Sequence, residues 1–200
     1  MKRKAGRSAS ETIAVTPDIS TALLDSARDI FVREGIEGLS VRRLADAAGC
    51  TTMAVYSRFK GKDGILGALF DEGFEKLSVA QQTIDPKLTN QDRLLAFCCA
   101  YRTIAHAYPH HYALMLGHFS GQLSPSDASQ AKALATLERL TDAVVAMSSM
   151  RGKTRAKSAE IANRLFAFCH GWVTLEHSGF FGNTKSVDKQ FETAVLALLV

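Results

Sequence analysis

The sequence is poor in the residues that would staple or interrupt a fold. Four cysteines occur among 200 residues, none in a C-x-x-C pair, and Cys98 and Cys99 are adjacent, which disfavours a bond between them. Cys50, Cys98, Cys99 and Cys169 therefore read as reduced, mostly buried thiols. No apolar run reaches the roughly 18 residues that span a bilayer, and the basic start is not followed by an apolar stretch of the signal-peptide kind. The expectation is a cytoplasmic protein with no membrane partner. A glycine-rich phosphate loop is missing, and no nucleophile, base and orienting group recur at a local catalytic spacing, so neither an enzyme nor a cofactor is expected. His106, His110, His111 and His118 lie close in sequence, but Pro109 interrupts the helix that would align them, and no metal site is predicted. Strand-like alternation and internal repeats are also missing, which leaves an all-α fold.

Charge of one sign is scarce as well, since the formal net charge is only +4 and does not by itself nominate nucleic acid. Its distribution says more. Residues 1–65 hold 11 Lys and Arg against 8 Asp and Glu, and in the first ten Lys2, Arg3, Lys4 and Arg7 have no acidic neighbour. Residues 1–15 lack periodicity and are expected to be a disordered basic arm. What is abundant is hydrophobic content, 46%, ample for a packed core.

Helical signals start at Thr16-Pro17-Asp18, a capping hydroxyl, a proline for the first helical position and an acid for the first turn. Leu23, Ala27, Ile30 and Phe31 repeat at helical spacing up to Gly35. Ser40 then caps a short helix, Val41 to Ala48, that ends at Gly49, and Thr51 caps another of about two turns through Phe59. A longer helix runs from Lys62 to about Ala80 with Ile65, Leu66, Leu69, Phe70, Phe74 and Leu77 on its apolar side. Further helices are predicted over Asp92 to Tyr108, His110 to His118, Ser126 to Met150, from the basic turn after Arg151 to about His177, and Val187 to Val200.

Helices of two turns are not stable alone and must be held by packing. Helix, tight turn at Gly49, helix is the arrangement that presents a second helix to a DNA major groove. Val55 and Phe59 share one face of that helix, while Thr52, Met53, Tyr56 and Ser57 share the other, which is suited to base edges and thymine methyls. Phosphate donors surround it: Thr51 and the free amides at the helix start, Tyr56, Arg58, Lys60, Lys62, and Arg42 and Arg43 on the helix before. On spacing alone, an ordinary helical core with a solvated basic face is the alternative.

The stretch from Gly38 to Gly49, GLSVRRLADAAG, followed by VYSRFKGKDGIL from Val55 to Leu66, resembles the DNA-binding signature of the TetR family of regulators. Phe31 and Gly35 fit the end of that family's first helix. The resemblance implies operator contacts from Thr51, Thr52, Met53, Tyr56, Ser57, Arg58 and Lys62, supported by Ser40, Arg42 and Arg43. It further implies a helix-turn-helix domain over residues 16–62, a ligand-binding and dimerisation domain over 63–200, double-stranded operator DNA as partner, and a repressor released by a small effector. An activator, or a helical small-molecule-binding protein without a DNA-binding role, are the alternatives.

A dimer needs a self-complementary patch outside the DNA-binding module. Ile161, Leu165, Phe168, Gly171 and Trp172 on one helix, with Phe191, Val195 and Leu198 on the last, are the predicted homodimer interface, half of a four-helix bundle. Gly171 inside a helix costs about 1 kcal/mol against Ala unless a close crossing compensates. The run Phe166 to Glu176 resembles the TetR subgroup named for its Trp, His and Gly, with Phe166 at the Trp position and His170 and Gly171 retained; Tyr101 to Met115 resembles it too. A pocket for an apolar or aromatic effector is predicted from Phe97, Tyr101, Tyr112, Met115, Phe119, Phe166, His170 and Val173.

Overall fold

Ser40, Thr51, Ser126 and Thr154 each precede a helix and act alike. Their side-chain oxygens accept from the backbone N–H groups of Arg43, Ala54, Ser129 and Lys157 at 3.1–3.3 Å. Each such cap satisfies an orphan amide and is worth about 1 kcal/mol. The structure, a computed structural model, describes residues 18–88, 90–116, 123–182 and 186–199. Among them are nine α-helices and no strand: α1 (Ile19–Glu34), α2 (Val41–Ala47), α3 (Thr52–Phe59), α4 (Lys62–Gln82), α5 (Asn90–Ala107), α6 (Pro109–Met115), α7 (Asp127–Val145), α8 (Arg155–His177) and α9 (Val187–Ala197).

The first three helices form a small head around Leu23, Ala27, Phe31, Leu44 and Val55, all essentially sealed from solvent. The turn between α2 and α3 closes on Gly49 at φ 64°. Its N–H donates to Asp46 O and that of Cys50 to Ala45 O, the paired bonds that end a helix with a left-handed residue. From the head α4 runs into a larger helical body, where it touches α5, α6 and α7, and where α7 lies along α8. Its buried stripe, Leu66, Phe70, Phe74, Leu77 and Gln81, follows the helical i, i+3/i+4 repeat.

Several boundaries differ from the sequence reading, the last helix, for one, ending at Ala197 instead of Val200. Asp18 is extended, with ψ 140°, so α1 starts at Ile19, with Asp18 as N-cap rather than in the first turn; Thr16, Pro17 and the basic arm lie outside the described residues. The seventh helix stops at Val145 instead of Met150. Beyond it Met147 N–H donates to Val144 O and Met150 N–H to Met147 O, a tighter coil that turns both methionines into the core. The sixth helix ends at Met115, and His118 lies outside the described residues.

The junction between α3 and α4 leaves no room for a side chain at Gly64, where a Cβ would stand 1.6 Å from the carbonyl oxygen of Phe59. Backbone cannot yield as a flexible side chain does. Gly64→Ala is therefore expected to destabilise the protein by about 1–3 kcal/mol, read as a lower Tm in thermal denaturation; an unchanged Tm contradicts this close approach.

Candidate nucleic-acid interface and ligand cavity

The two-turn helix α3 is held from one side. Val55 is fully buried and Phe59 half-buried against the core, whereas Thr52, Ser57 and Arg58 are exposed, as are Met53 at 73% and Tyr56 at 55%. An exposed Met and Tyr side by side on so short a helix leave apolar area unpartnered within the chain. Polar groups frame them. Thr51 uses its oxygen as the N-cap acceptor, so its O–H remains a donor, and Ser57 Oγ donates back to Ala54 O. Arg42, Arg58 and Lys60 are exposed.

Two of the expected phosphate donors are tied inward. Arg43 forms a two-pronged ion pair with Glu34 and also donates to Gly38 O at 3.2 Å, bracing α2 against the end of α1. Lys62 Nζ donates to Ile36 O at 3.2 Å and is half-buried, so it ties the start of α4 to the connection between α1 and α2. Both residues stabilise the head itself, a role that spacing does not reveal. Ser40 is the N-cap of α2 and stays exposed.

In the body, two narrow cavities, which hold about 30 and 10 Å³ of water-accessible space, share Leu77 and Tyr101. The larger lies among α4, α5, α7 and α8 and takes Phe97, Tyr101 and Phe166 from the predicted pocket set; the smaller takes Tyr101, Tyr112 and Met115. His170 sits behind them, its Nδ1 2.8 Å from Tyr112 Oη and 3.4 Å from Tyr101 Oη. Two members of the set fall elsewhere. Val173 is fully buried and lines neither cavity although it follows Cys169 by one turn on α8, and Phe119 lies outside the described residues. Sequence reasoning missed Gln81 and Thr136, polar residues lining the larger cavity. A legible signal existed: Gln81 continues the apolar stripe of α4, and Thr136 stands one turn before Leu140 on α7.

Head and body meet at His111. Its ring, lining the smaller cavity, packs edge-on against Phe31 of α1 with centroids 5.1 Å apart, and the His110 ring lies over Gly35. Beside it Glu72 of α4 accepts from Arg28 of α1 at 2.9 Å and pairs with Lys76 at 3.0 Å. Burial raises the Glu72 carboxyl, but these cations bring it below its ordinary value. A contiguous path of packed groups therefore runs from the cavity wall to the helix that seats α3.

The predicted dimer face divides. Leu165, Phe191 and Val195 are fully buried within the chain, so they fasten α8 and α9 to the body rather than face a partner. Ile161, Phe168 and Trp172 are half-buried, while Gly171 and Leu198 are exposed. Among the described residues a Cβ at Gly171 would meet nothing within 4 Å, so no crossing between them explains the glycine. Trp172 stacks on Phe181 at 4.6 Å, and Leu175 and Phe180 are exposed at 41% and 75%. Behind this face Arg102 of α5 donates to Glu176 and Asp188 at 2.6 and 2.7 Å, pinning α8 and α9 together.

A three-helix head that displays a capped two-turn helix, mounted on a larger helical body, defines a helix-turn-helix regulator. Comparison with protein families is consistent over most of the chain. Residues 23–69 match the bacterial regulatory proteins of the tetR family, and residues 94–198 match the tetracyclin repressor-like C-terminal domain. The chain belongs to the TetR family of transcriptional regulators. Similar solved structures include a protein with unknown function from Rhodococcus sp. RHA1, 24% identical with a TM-score of 0.80, the match covering 94% of this chain and 97% of that one. A regulatory protein of the tetR family from Rhodococcus RHA1 is 18% identical with a TM-score of 0.69 over 92% and 98% of the two chains. A TetR variant from Acinetobacter baumannii AYE, in complex with minocycline, is 17% identical with a TM-score of 0.62 over 88% and 92%. At these identities the likeness is one of fold. Comparison with curated proteins gives no match.

Burial holds the His111 imidazole below its ordinary value, against the pull of Glu72 and with Lys76, Arg28 and His110 acting in the same direction as burial. The unfolded chain therefore takes up this proton first as pH falls through about 6.5, and stability is lost on the acid side of that value. Tm is expected to fall more steeply between about pH 7 and pH 5.5 in the wild type than in His111→Gln. Equal slopes contradict a neutral, buried His111.

Proposed function

We propose that this chain is a repressor that binds a palindromic operator as a homodimer and lets go when a small apolar or aromatic molecule occupies the body. The observation that carries the proposal is α3: Val55 anchors it while Thr52, Met53, Tyr56 and Ser57 stand exposed on its outer face. Thr52, Met53, Tyr56 and Ser57 read base edges; Thr51, Arg42 and Arg58 bind phosphate, with Ser40, Arg43 and Lys62 holding the geometry from behind.

Two copies join through the outer faces of α8 and α9, around Gly171, Trp172 and Leu198, with Ile161 and Phe168 at the edge. Gly171 lets the two backbones approach closely. The dimer sets its two reading helices about 34–36 Å apart, one duplex turn, to enter successive major grooves on one side of the DNA. The protein works in the cytoplasm, with no cofactor.

A ligand in the body acts by favouring a different separation of the heads. Leu77 lines both cavities on the same helix that carries Ile65 and Lys62 beneath α3, and His111 joins the smaller cavity to Phe31. A coupling of about 1–3 kcal/mol weakens operator binding roughly 5- to 150-fold. A TetR relative holding minocycline supports release by a small molecule, and a fatty acid degradation regulator of similar fold from Bacillus halodurans supports an apolar one.

The test is a mobility shift with duplexes selected by the purified protein from random sequence. The selected sites are expected to be palindromic. Tyr56→Ala weakens binding by about 5- to 150-fold and relaxes the sequence preference, whereas Arg58→Ala weakens all duplexes alike and lowers the salt slope by about one. Failure to select any duplex, or full affinity in Tyr56→Ala, refutes the reading. Separately, Gly171→Arg is expected to shift the sedimenting species from dimer to monomer without lowering the helix content of the chain; a persistent dimer relocates the interface.

A further inference from the structure

We infer that the larger cavity selects a neutral, apolar ligand carrying a hydrogen-bond donor, which it offers to the side-chain oxygen of Gln81. The inference deepens the proposed effector site and rests on that reading for its regulatory meaning alone.

No Asp, Glu, Lys, Arg or His stands among the described residues lining this cavity. A charged ligand entering it would shed its hydration with no counter-charge to replace it. The hydroxyls of the wall have polar neighbours of their own. Thr136 Oγ1 donates to Ala133 O at 2.7 Å within α7, and Tyr101 Oη lies 3.4 Å from His170 Nδ1, which Tyr112 Oη approaches more closely at 2.8 Å.

Gln81 is the exception. Only 8% exposed, it donates from Nε2 to the Thr136 carbonyl oxygen at 3.1 Å, while its Oε1 is buried with no hydrogen-bond partner. The orientation of the amide is fixed by that bond, because a carbonyl only accepts and would repel Oε1 if the group were turned over. Two lone pairs are therefore left facing no donor in a buried setting, the condition under which a new bond gains most. A phenol, an alcohol or an N–H heterocycle supplies what is missing; a hydrocarbon does not, and a carboxylate presents the wrong charge and only acceptors.

Gln81 is also well placed to matter. It stands at the far end of α4 from the reading helix, and its bond to Thr136 joins α4 to α7. A ligand that bonds Oε1 engages a residue that, like the Lys132–Asp71 ion pair, ties these two helices together.

Two probes of equal size, p-cresol and p-xylene, and the somewhat larger anion p-toluate separate the possibilities, titrated against the wild type and Gln81→Met by calorimetry and by the rise in Tm. The methionine keeps the length and bulk of the side chain and removes the acceptor. In the wild type p-cresol is expected to bind at least as tightly as p-xylene, although water holds the phenol more strongly. In Gln81→Met the preference turns to p-xylene, a swing of about tenfold, and p-toluate binds neither protein. The same p-xylene preference in both proteins, tight binding of p-toluate, or no binding by any probe overturns the inference. The wild-type comparison stands even where the variant folds poorly. Mobility shift on selected duplexes keeps the two readings apart: p-cresol held through Gln81 on a protein that keeps its DNA refutes the regulatory role and leaves the site, while intact DNA binding without the Gln81-dependent preference does the reverse.

Discussion

A helix of two turns does not hold its own shape, and the burial of Val55 is what gives α3 one. Eight residues supply too few intrahelical bonds to repay the nucleation cost, and the Thr51 cap adds only about 1 kcal/mol. Burying Val55 completely contributes about 1.5–3 kcal/mol more, and Phe59 a share of its own. The remainder of the head exists to furnish the surface on which that face rests. Leu23, Ala27 and Phe31 of α1 and Leu44 of α2 make the floor, and Gly64 lets α4 press against the last carbonyl of α3. Because one side is so firmly seated, the other is free to carry polar and aromatic groups that contribute nothing to the fold.

The same economy explains why Arg43 and Lys62 are not simple phosphate ligands. A head of three short helices has little core, so charged residues at its edges are recruited as ties: Arg43 to Glu34 and Gly38, Lys62 to Ile36. Such exposed ties are individually weak, yet they join elements distant in sequence and fix the angle at which α3 is presented. The connection to the body is of the same kind, with Arg28 and Glu72 at the rim and Phe31 against His111 beneath them. The cavity wall and the head are thus joined by packed side chains as well as by α4 itself.

Much of this was legible in the sequence, because the head is built from local rules. Caps at Ser40 and Thr51, the left-handed turn at Gly49 and the i, i+3/i+4 stripes of α1 and α4 are written in consecutive residues, and the structure follows them within a residue or two. The inward and outward faces of α3 were legible for the same reason. The body was read less well. Leu165, Phe191 and Val195 share a helix face with half-buried neighbours, and periodicity does not say whether an apolar face meets its own chain or another. The place of Gln81 on the apolar stripe of α4 marks it as inward-facing, but no run of consecutive residues shows that Thr136, 55 residues away, meets it. The cavity depends on where four helices cross, and no single segment encodes that.

The central claim is that α3 is a reading head pressed against base pairs. Its most direct test is photo-crosslinking: a photoreactive side chain placed at Met53 on α3, or at Leu134 on α7 as a well-exposed control, irradiated with a selected duplex. The account predicts adducts to bases from Met53 and none from Leu134. Crosslinking from Leu134 but not from Met53, or from neither while the duplex is demonstrably bound, contradicts it.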